Sequence, residues 1–332
     1  MKRVTIALLL VATSCSSSTT RPAPTTEFVT TRTAPTETVA PTTPTTPGTT
    51  QTPTTSNIPE LPTTDRPCGT LAEPPATYEH VVWIWMENHS AAQVIGKPDA
   101  PFVSGLAAKC ATATDYRSVG KPSLPNYLGA TSGDTWGIVD DAGPSTHSLT
   151  VDNLFRQVRA VGGTAISYQD AMPANCVLGG RSTYAVKHNP AAYYAGGDDR
   201  AACITDDVPF APAFGDALKG GTLPTFSFIT PDLCNDTHDC SVATGDQWLT
   251  GVVDDLLATP AYQSGRTAIF LVWDEDAPMP FVAITPSVRP GTVITQTVNH
   301  YALLRTTEEM LGITTYLGKA ATAPSMRAGL HA

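Results

Sequence analysis

The sequence predicts an α/β domain built on a parallel or mixed central sheet. Apolar runs rich in β-branched and aromatic residues recur along the chain, and segments with helical spacing of apolar residues alternate with them. The composition becomes globular only from Cys68 onward.

The amino end is read first. Met1-Lys2-Arg3 precedes a short apolar run at residues 4–11 and then Ala12-Thr13-Ser14-Cys15. This is the pattern of a secretory signal, with an apolar core too short to span a bilayer. Small residues ahead of Cys15 resemble a bacterial lipobox, so residues 1–15 are expected to be a lipoprotein-type signal and Cys15 to carry lipid. Ordinary secretion is the alternative. The expected location is exported, either lipid-anchored at the cell membrane or envelope, or extracellular. Residues 16–67 are almost all Thr, Pro, Ser and Ala, too poor in apolar surface to offset chain entropy, and are expected to form a disordered, extended stalk. Residues 68–332 remain for one catalytic domain.

Six cysteines lie beyond Cys15. In an exported chain an even number favours disulfides, and sequence neighbours suggest Cys68 with Cys110, Cys176 with Cys203 and Cys234 with Cys240. A zinc cluster would need closer spacings. Net charge is −10 with 20 Lys and Arg in total, so the basic stripe of a nucleic-acid binder is missing.

Within the domain, strands are expected at residues 81–86, 164–168, 225–229, 267–273 and 281–285. Helices are expected at 101–110, 151–161, 242–257 and 301–311. The first strand, Val81-Val82-Trp83-Ile84-Trp85-Met86, stops abruptly at Glu87-Asn88-His89-Ser90. The strand at 267–273 ends equally abruptly in Asp274-Glu275-Asp276. Open α/β sheets keep their chemistry at the carboxyl ends of such strands. Acids gathered there repel one another and lose hydration unless a cation joins them. Glu87, Asn88, Asp274 and Glu275 therefore offer an oxygen-rich ligand set for one divalent metal, with Ca²⁺ or Mg²⁺ favoured and Zn²⁺, Mn²⁺ and Fe open; solvated acids in surface loops are the plainer alternative. A third strand runs into a loop holding Asp232, Asn235, Asp236, His238 and Asp239, five polar groups suited to acid or phosphate-binding work. In Gly120-Lys121-Pro122-Ser123, Ser123 opens a helix, where unpaired amides and the helix dipole favour a phosphoryl group; a serine that only caps the helix is the plainer alternative.

Together the motifs MENHS, PSLPNYLGATSG, KHNP, ITPDLCNDTHD, GDQWL, VWDED and NHYALLRTTEEMLG resemble, in this order, the phosphoesterase family of bacterial acid phosphatases and phospholipases C. Within it the chain is similar to secreted acid phosphatases that act on phosphatidylinositol 3-phosphate. The resemblance covers residues 77–312. It implies an alkaline phosphatase-like fold, a central mostly parallel sheet sandwiched by helices. It also implies Ser123 as nucleophile and metal ligand, Glu87, Asn88, Asp274 and Glu275 as metal ligands, and His188 and His238 around the phosphate. His238 is the preferred general acid and His188 the holder of phosphate oxygens. Lys121, Asn126, Asp236 and His300 are expected to contact substrate, although Lys121 could face solvent and His300 could simply begin a helix.

The function so implied is a metal-dependent acid phosphatase that hydrolyses phosphomonoesters, phosphoinositides among them, through phosphoserine. The partners are then a phosphorylated small molecule or a phospholipid headgroup, and a membrane through the lipid anchor, with the protein a monomer. A phospholipase C-type phosphodiesterase is the alternative on the same fold. A lipid-anchored, non-catalytic binding protein is the alternative of another class.

Overall fold

The computed structural model describes residues 61–332. The expected signal, the expected lipidation at Cys15 and the stalk up to residue 60 lie outside the described residues. Residues just ahead of Cys68 already engage the domain: Tyr262 donates to the Pro67 carbonyl at 2.7 Å and Thr64 to Asp254 at 3.1 Å.

In chain order the strands are β1 (His80–Met86), β2 (Ala111–Ala113), β3 (Tyr116–Arg117), β4 (Ala165–Gln169), β5 (Asp207–Pro209), β6 (Phe226–Thr230), β7 (Thr267–Trp273), β8 (Phe281–Ile284), β9 (Val293–Ile294) and β10 (Val298–Asn299). Eight of them form one sheet in the order β5-β4-β6-β1-β7-β8-β2-β9, while β10 and β3 pair separately. In the large sheet β8 runs antiparallel to both β7 and β2, and the other neighbours pair in parallel. The centre of the sheet is therefore the parallel trio β6-β1-β7, whose carboxyl ends share one edge.

The expected strands are all present, each within a residue or so of its predicted limits. β1 is central because it can be covered on both faces. Trp83 and Trp85 point to one side, where Trp83 donates to Thr307 and Trp85 packs on Tyr127, Phe228 and His300. The opposite face carries Met86, whose methyl group lies so close to Gly245 that a side chain there would collide with it.

Helices cover both faces, as the predicted architecture requires. Ser123–Ser132, Leu154–Ala160 and His300–Met310 lie on the tryptophan side. Pro101–Lys109, Phe210–Gly220 and Val242–Leu257 lie on the other. Local chemistry fixes several boundaries. The expected helix at 151–161 begins only at Leu154 because Asn153 caps it, accepting from the Arg156 amide. Asp246, in the GDQWL segment, accepts from the Phe102 and Val103 amides and so caps the facing helix. The helix Phe210–Gly220 and the strand β5 carry no predicted counterpart: Pro212 and two glycines blur the helical pattern, and three residues are too few to show alternation.

The six cysteines form three disulfides, Cys68–Cys110, Cys176–Cys203 and Cys234–Cys240.

Candidate active site

Glu87 and Asn88 leave β1 at the edge where Asp274 and Glu275 leave β7. Because Met86 and Trp273 are register partners, Glu87 and Asp274 follow side by side. The Asp274 amide donates to the Met86 carbonyl, and the Asn88 amide returns a bond to Asp274 Oδ1 at 3.0 Å. From the other flank, the loop after β6 closes on Glu87. Its amide donates to the Asp236 carbonyl, and its carbonyl accepts from Thr237 Oγ1 at 2.8 Å and from His89 Nδ1 at 3.0 Å. Asn88, Thr237 and Asp276 all have positive φ (58°, 78° and 73°), one in the segment that follows each strand of the trio. Such strain in non-glycine residues persists only where the surroundings enforce it, and it gathers at functional sites.

Ser123 is the first residue of its helix and is 2% exposed. Its hydroxyl donates to Glu87 Oε2 at 3.1 Å, and Tyr127, one turn on, donates to Oε1 at 2.5 Å. The helix thus brings two hydroxyls, one turn apart, onto one carboxylate.

Glu87, Asp236 and Asp274 are fully buried. Burial, reinforced by Asp274 and Asp236, holds the Glu87 carboxyl well above the usual carboxylate range. Burial pushes Asp236 and Asp274 up to about 7. Asp274 Oδ2 has no hydrogen-bond partner, Asp236 Oδ2 meets only His188 Nδ1 at 3.2 Å outside hydrogen-bond geometry, and Glu275 Oε2 has only Lys121 Nζ at 3.8 Å. Each ionised group buried alone costs on the order of several kcal/mol. Such a set fits a divalent cation, which would supply the missing partner and restore the ionised forms. Among the described residues, Glu87, His188 and His238 form the one group of His, Cys, Asp or Glu whose ligand atoms all lie within 4.8 Å. Imidazole joins the expected oxygens there, which widens the donor set toward Zn²⁺, Mn²⁺ or Fe.

Several expected substrate contacts are placed otherwise. Asn126 is buried and fully used: Oδ1 accepts from the Val119 and Gly120 amides, and Nδ2 donates to the Gly120 and Pro122 carbonyls. It shapes the loop ahead of Ser123 rather than touching substrate. His300 is also buried, with Nε2 donating to the Asp274 carbonyl at 2.7 Å and Nδ1 accepting from Tyr116 at 2.8 Å. Burial lowers its pKa to about 4. It braces the carboxyl edge of β7 from behind as a neutral ring. Asp236 Oδ1 accepts from the His238 amide and Oδ2 lies 3.2 Å from His188 Nδ1, so this acid joins the carboxylate cluster and offers no donor to phosphate.

His188 has Nε2 3.2 Å from Glu87 Oε1, stacks on Tyr127 and is 1% exposed. Its nitrogens face acids, which conflicts with holding phosphate oxygens. Lys121 is largely exposed and pairs with Asp276 at 3.2 Å, at the rim. His238 keeps an outward position, with Nδ1 2.6 Å from Asp239 Oδ1 and Nε2 3.4 Å from Lys187 Nζ. Lys187 and Tyr127 are the residues that sequence reasoning passed over. Both stand inside the motifs that carried the resemblance, and only their neighbours had been assigned roles.

The phosphoesterase family matches this chain across residues 97–279. The chain belongs to that family. The match contains Ser123, His188, His238, Asp274 and Glu275, while β1 with Glu87 and Asn88 lies ahead of it. Among curated relatives, this phosphoesterase is 33% identical to a phosphatidylinositol-3-phosphatase of Mycobacterium tuberculosis over 77% of this chain and 84% of that one. It is 30% identical to the phosphate-repressible acid phosphatase of Penicillium chrysogenum over 60% of this chain, spanning 48% of the fungal enzyme. Among solved structures, a protein in the alkaline phosphatase superfamily from Vibrio parahaemolyticus superposes with a TM-score of 0.54 at 14% identity, covering 81% of this chain and 74% of that one. At that identity the likeness concerns the fold, which is alkaline phosphatase-like: a large, mostly parallel central sheet flanked by helices.

Proposed function

We propose that this phosphoesterase hydrolyses phosphomonoesters through a phosphoserine formed on Ser123. The observation that carries the reading is the buried hydroxyl of Ser123, at the start of a helix and hydrogen-bonded to Glu87 at the carboxyl edge of the central strands. A phosphatidylinositol-3-phosphatase and acid phosphatases among its relatives support the monoester reading.

Glu87, Asn88, Asp274, Glu275 and Ser123, with His188 at hand, would hold a divalent cation. When bound, it would neutralise charge on the phosphoryl oxygens and favour the ionised serine. The chain's own part is orientation and proton movement. Glu87 Oε2 takes the proton of the Ser123 hydroxyl as Oγ attacks phosphorus and the ester oxygen departs. His238, oriented by Asp239 through Nδ1, gives the leaving alcohol its proton from Nε2, then takes one from the water that releases phosphate, while Glu87 returns its proton to the departing Ser123 oxygen. Lys187 Nζ, beside His238, meets the phosphoryl oxygens.

Export and a lipid anchor at Cys15 complete the proposal, with a phosphoinositide headgroup as one substrate class. Among the described residues no helix is long and apolar enough to cross a membrane. The three disulfides are compatible with export.

The test is phosphate release from a soluble phosphomonoester, phosphatidylinositol 3-phosphate and phosphatidylcholine by wild type and Ser123→Ala. The variant is expected to fold normally and lose about a thousandfold or more in kcat. Wild-type turnover by the variant, or faster cleavage of phosphatidylcholine than of either monoester, would sink the proposal.

A further inference from the structure

Asp141 has no role in the chemistry described above, yet two parts of the site meet on its carboxylate and a third stands one contact away. It lies in the segment that follows the Ser123 helix and folds back over the helix's first turn. Oδ1 accepts from the Leu124 amide, next to the nucleophile, at 3.0 Å. Oδ2 lies 3.2 Å from Lys187 Nζ. Lys187 in turn stands 3.4 Å from His238 Nε2 and directly precedes His188. Both members of the ion pair are about three-quarters covered, with side-chain exposures of 23% and 28%, which shields the pair from the screening that weakens surface salt bridges.

A lysine on a four-carbon stem is a poor electrostatic catalyst unless something holds its head, because free rotation spreads the charge over many positions. Asp141 supplies that restraint, and it is anchored to the same backbone that carries the nucleophile.

We propose that Asp141 is a positioning residue for phosphoryl transfer, which ties the Lys187 ammonium to the Ser123 helix so that the cation meets the phosphoryl oxygens at a fixed distance from the attacking hydroxyl. This rests on the phosphomonoesterase reading of the site. The rival role, a simple helix cap, uses only the bond to Leu124. Asp141→Asn separates the two, because the amide oxygen still accepts from Leu124 while the other side of the group no longer pairs with an ammonium.

The experiment is steady-state kinetics on a soluble phosphomonoester, with competitive inhibition by inorganic phosphate, for wild type, Asp141→Asn, Lys187→Ala and the double variant, each with its melting temperature. Asp141→Asn is expected to melt near wild type. It should lose about tenfold in kcat/KM and bind inorganic phosphate correspondingly more weakly, the size expected for a lost charge-assisted contact. Lys187→Ala should lose at least as much, and the double variant no more than Lys187→Ala alone, since Asp141 acts through Lys187. Wild-type or raised kcat/KM in Asp141→Asn overturns the proposal, as does a double variant whose loss is the product of the single losses. Should Asp141→Asn fail to fold, Lys187→Ala decides alone: unchanged phosphate inhibition there overturns it. A wild-type protein that releases no phosphate removes the parent reading and this one together. An active wild type with an indifferent Asp141→Asn removes only this one.

Discussion

Tyr127 donates a 2.5 Å hydrogen bond to Glu87 Oε1, the oxygen next to the one that accepts from Ser123. Both donors sit on one face of a single helix, so the carboxylate and the Ser123 hydroxyl are aligned by helical geometry alone. Tyr127 also packs on Trp85 and stacks on His188. Tyr127→Phe keeps those contacts and removes only the hydroxyl. It is expected to melt close to wild type while losing about 10- to 100-fold in metal affinity or kcat/KM, as outer ligands of metal sites do. Isothermal titration and phosphate release measure the two; unchanged values for both would exclude this role.

Asn88 combines a left-handed backbone, φ 58°, with a hydrogen bond from its backbone amide to Asp274 Oδ1. Asn88→Gly preserves both and deletes the side-chain oxygen, so metal affinity should fall while thermal stability stays near wild type. Asn88→Val, by contrast, forces a β-branched residue into that conformation and should destabilise the fold by about 1 to 3 kcal/mol in denaturant titrations.

Removing the cation should make stability depend on pH. Asp236 and Asp274 are raised from an ordinary aspartate value of 3.8 to about 7, chiefly by burial. Because the folded values lie above the unfolded ones, their stabilising contribution is complete below about 4 and is lost as the pH rises through about 7. Chelated protein should therefore show a falling melting temperature across that interval. Metal-loaded protein should show a smaller fall, since the cation favours the ionised carboxylates. Equal slopes with and without chelator would contradict the cation-filled cluster.

The sequence showed this edge because β1 from Val81 and β7 from Ala268 are apolar up to the residue where each turns acidic, and acids gathered at the end of a buried strand lose hydration unless a partner joins them. Ser123 was legible through the Pro122-Ser123 helix start. Asn126 and His300 were not, because Asn126 spends its amide on backbone atoms and His300 its ring on the Asp274 carbonyl and the Tyr116 hydroxyl, whose positions depend on tertiary packing. Lys187 and Asp141 lie 46 positions apart, and no local pattern signals that they meet.

Glu308 offers a titration outside the site. It is buried, with Oε1 accepting from the Leu317 amide at 2.8 Å and Oε2 unpartnered. Burial raises its pKa from 4.5 to about 8. Its contribution is present below about 4.5 and lost as the pH climbs through about 8. Glu308→Gln keeps the acceptor and cannot ionise, so its melting temperature should gain on wild type as the pH rises through that range. A constant difference between the two across pH would refute this.

The Cys234–Cys240 bridge closes a short loop, spanning 6 positions. Serine at both positions should lower stability by about 2 kcal/mol, as expected for so small a ring. The loss in kcat/KM should be larger than that stability change implies, because the loop sets Asp236, Thr237 and His238 against Glu87. Kinetics measured well below the melting point separate the two effects.

The register of β1 with β7 makes the sheet a ruler. Glu87 and Asp274 are consecutive to the paired residues Met86 and Trp273, so their backbones stand about one inter-strand spacing apart, roughly 4.8 Å. That interval is a constant of hydrogen-bonded strands and cannot be tuned by mutation in small steps. A cation of different radius must be met by rotation of side chains over a fixed gauge, so exchange of one metal species for another should alter coordination number before it alters the main chain.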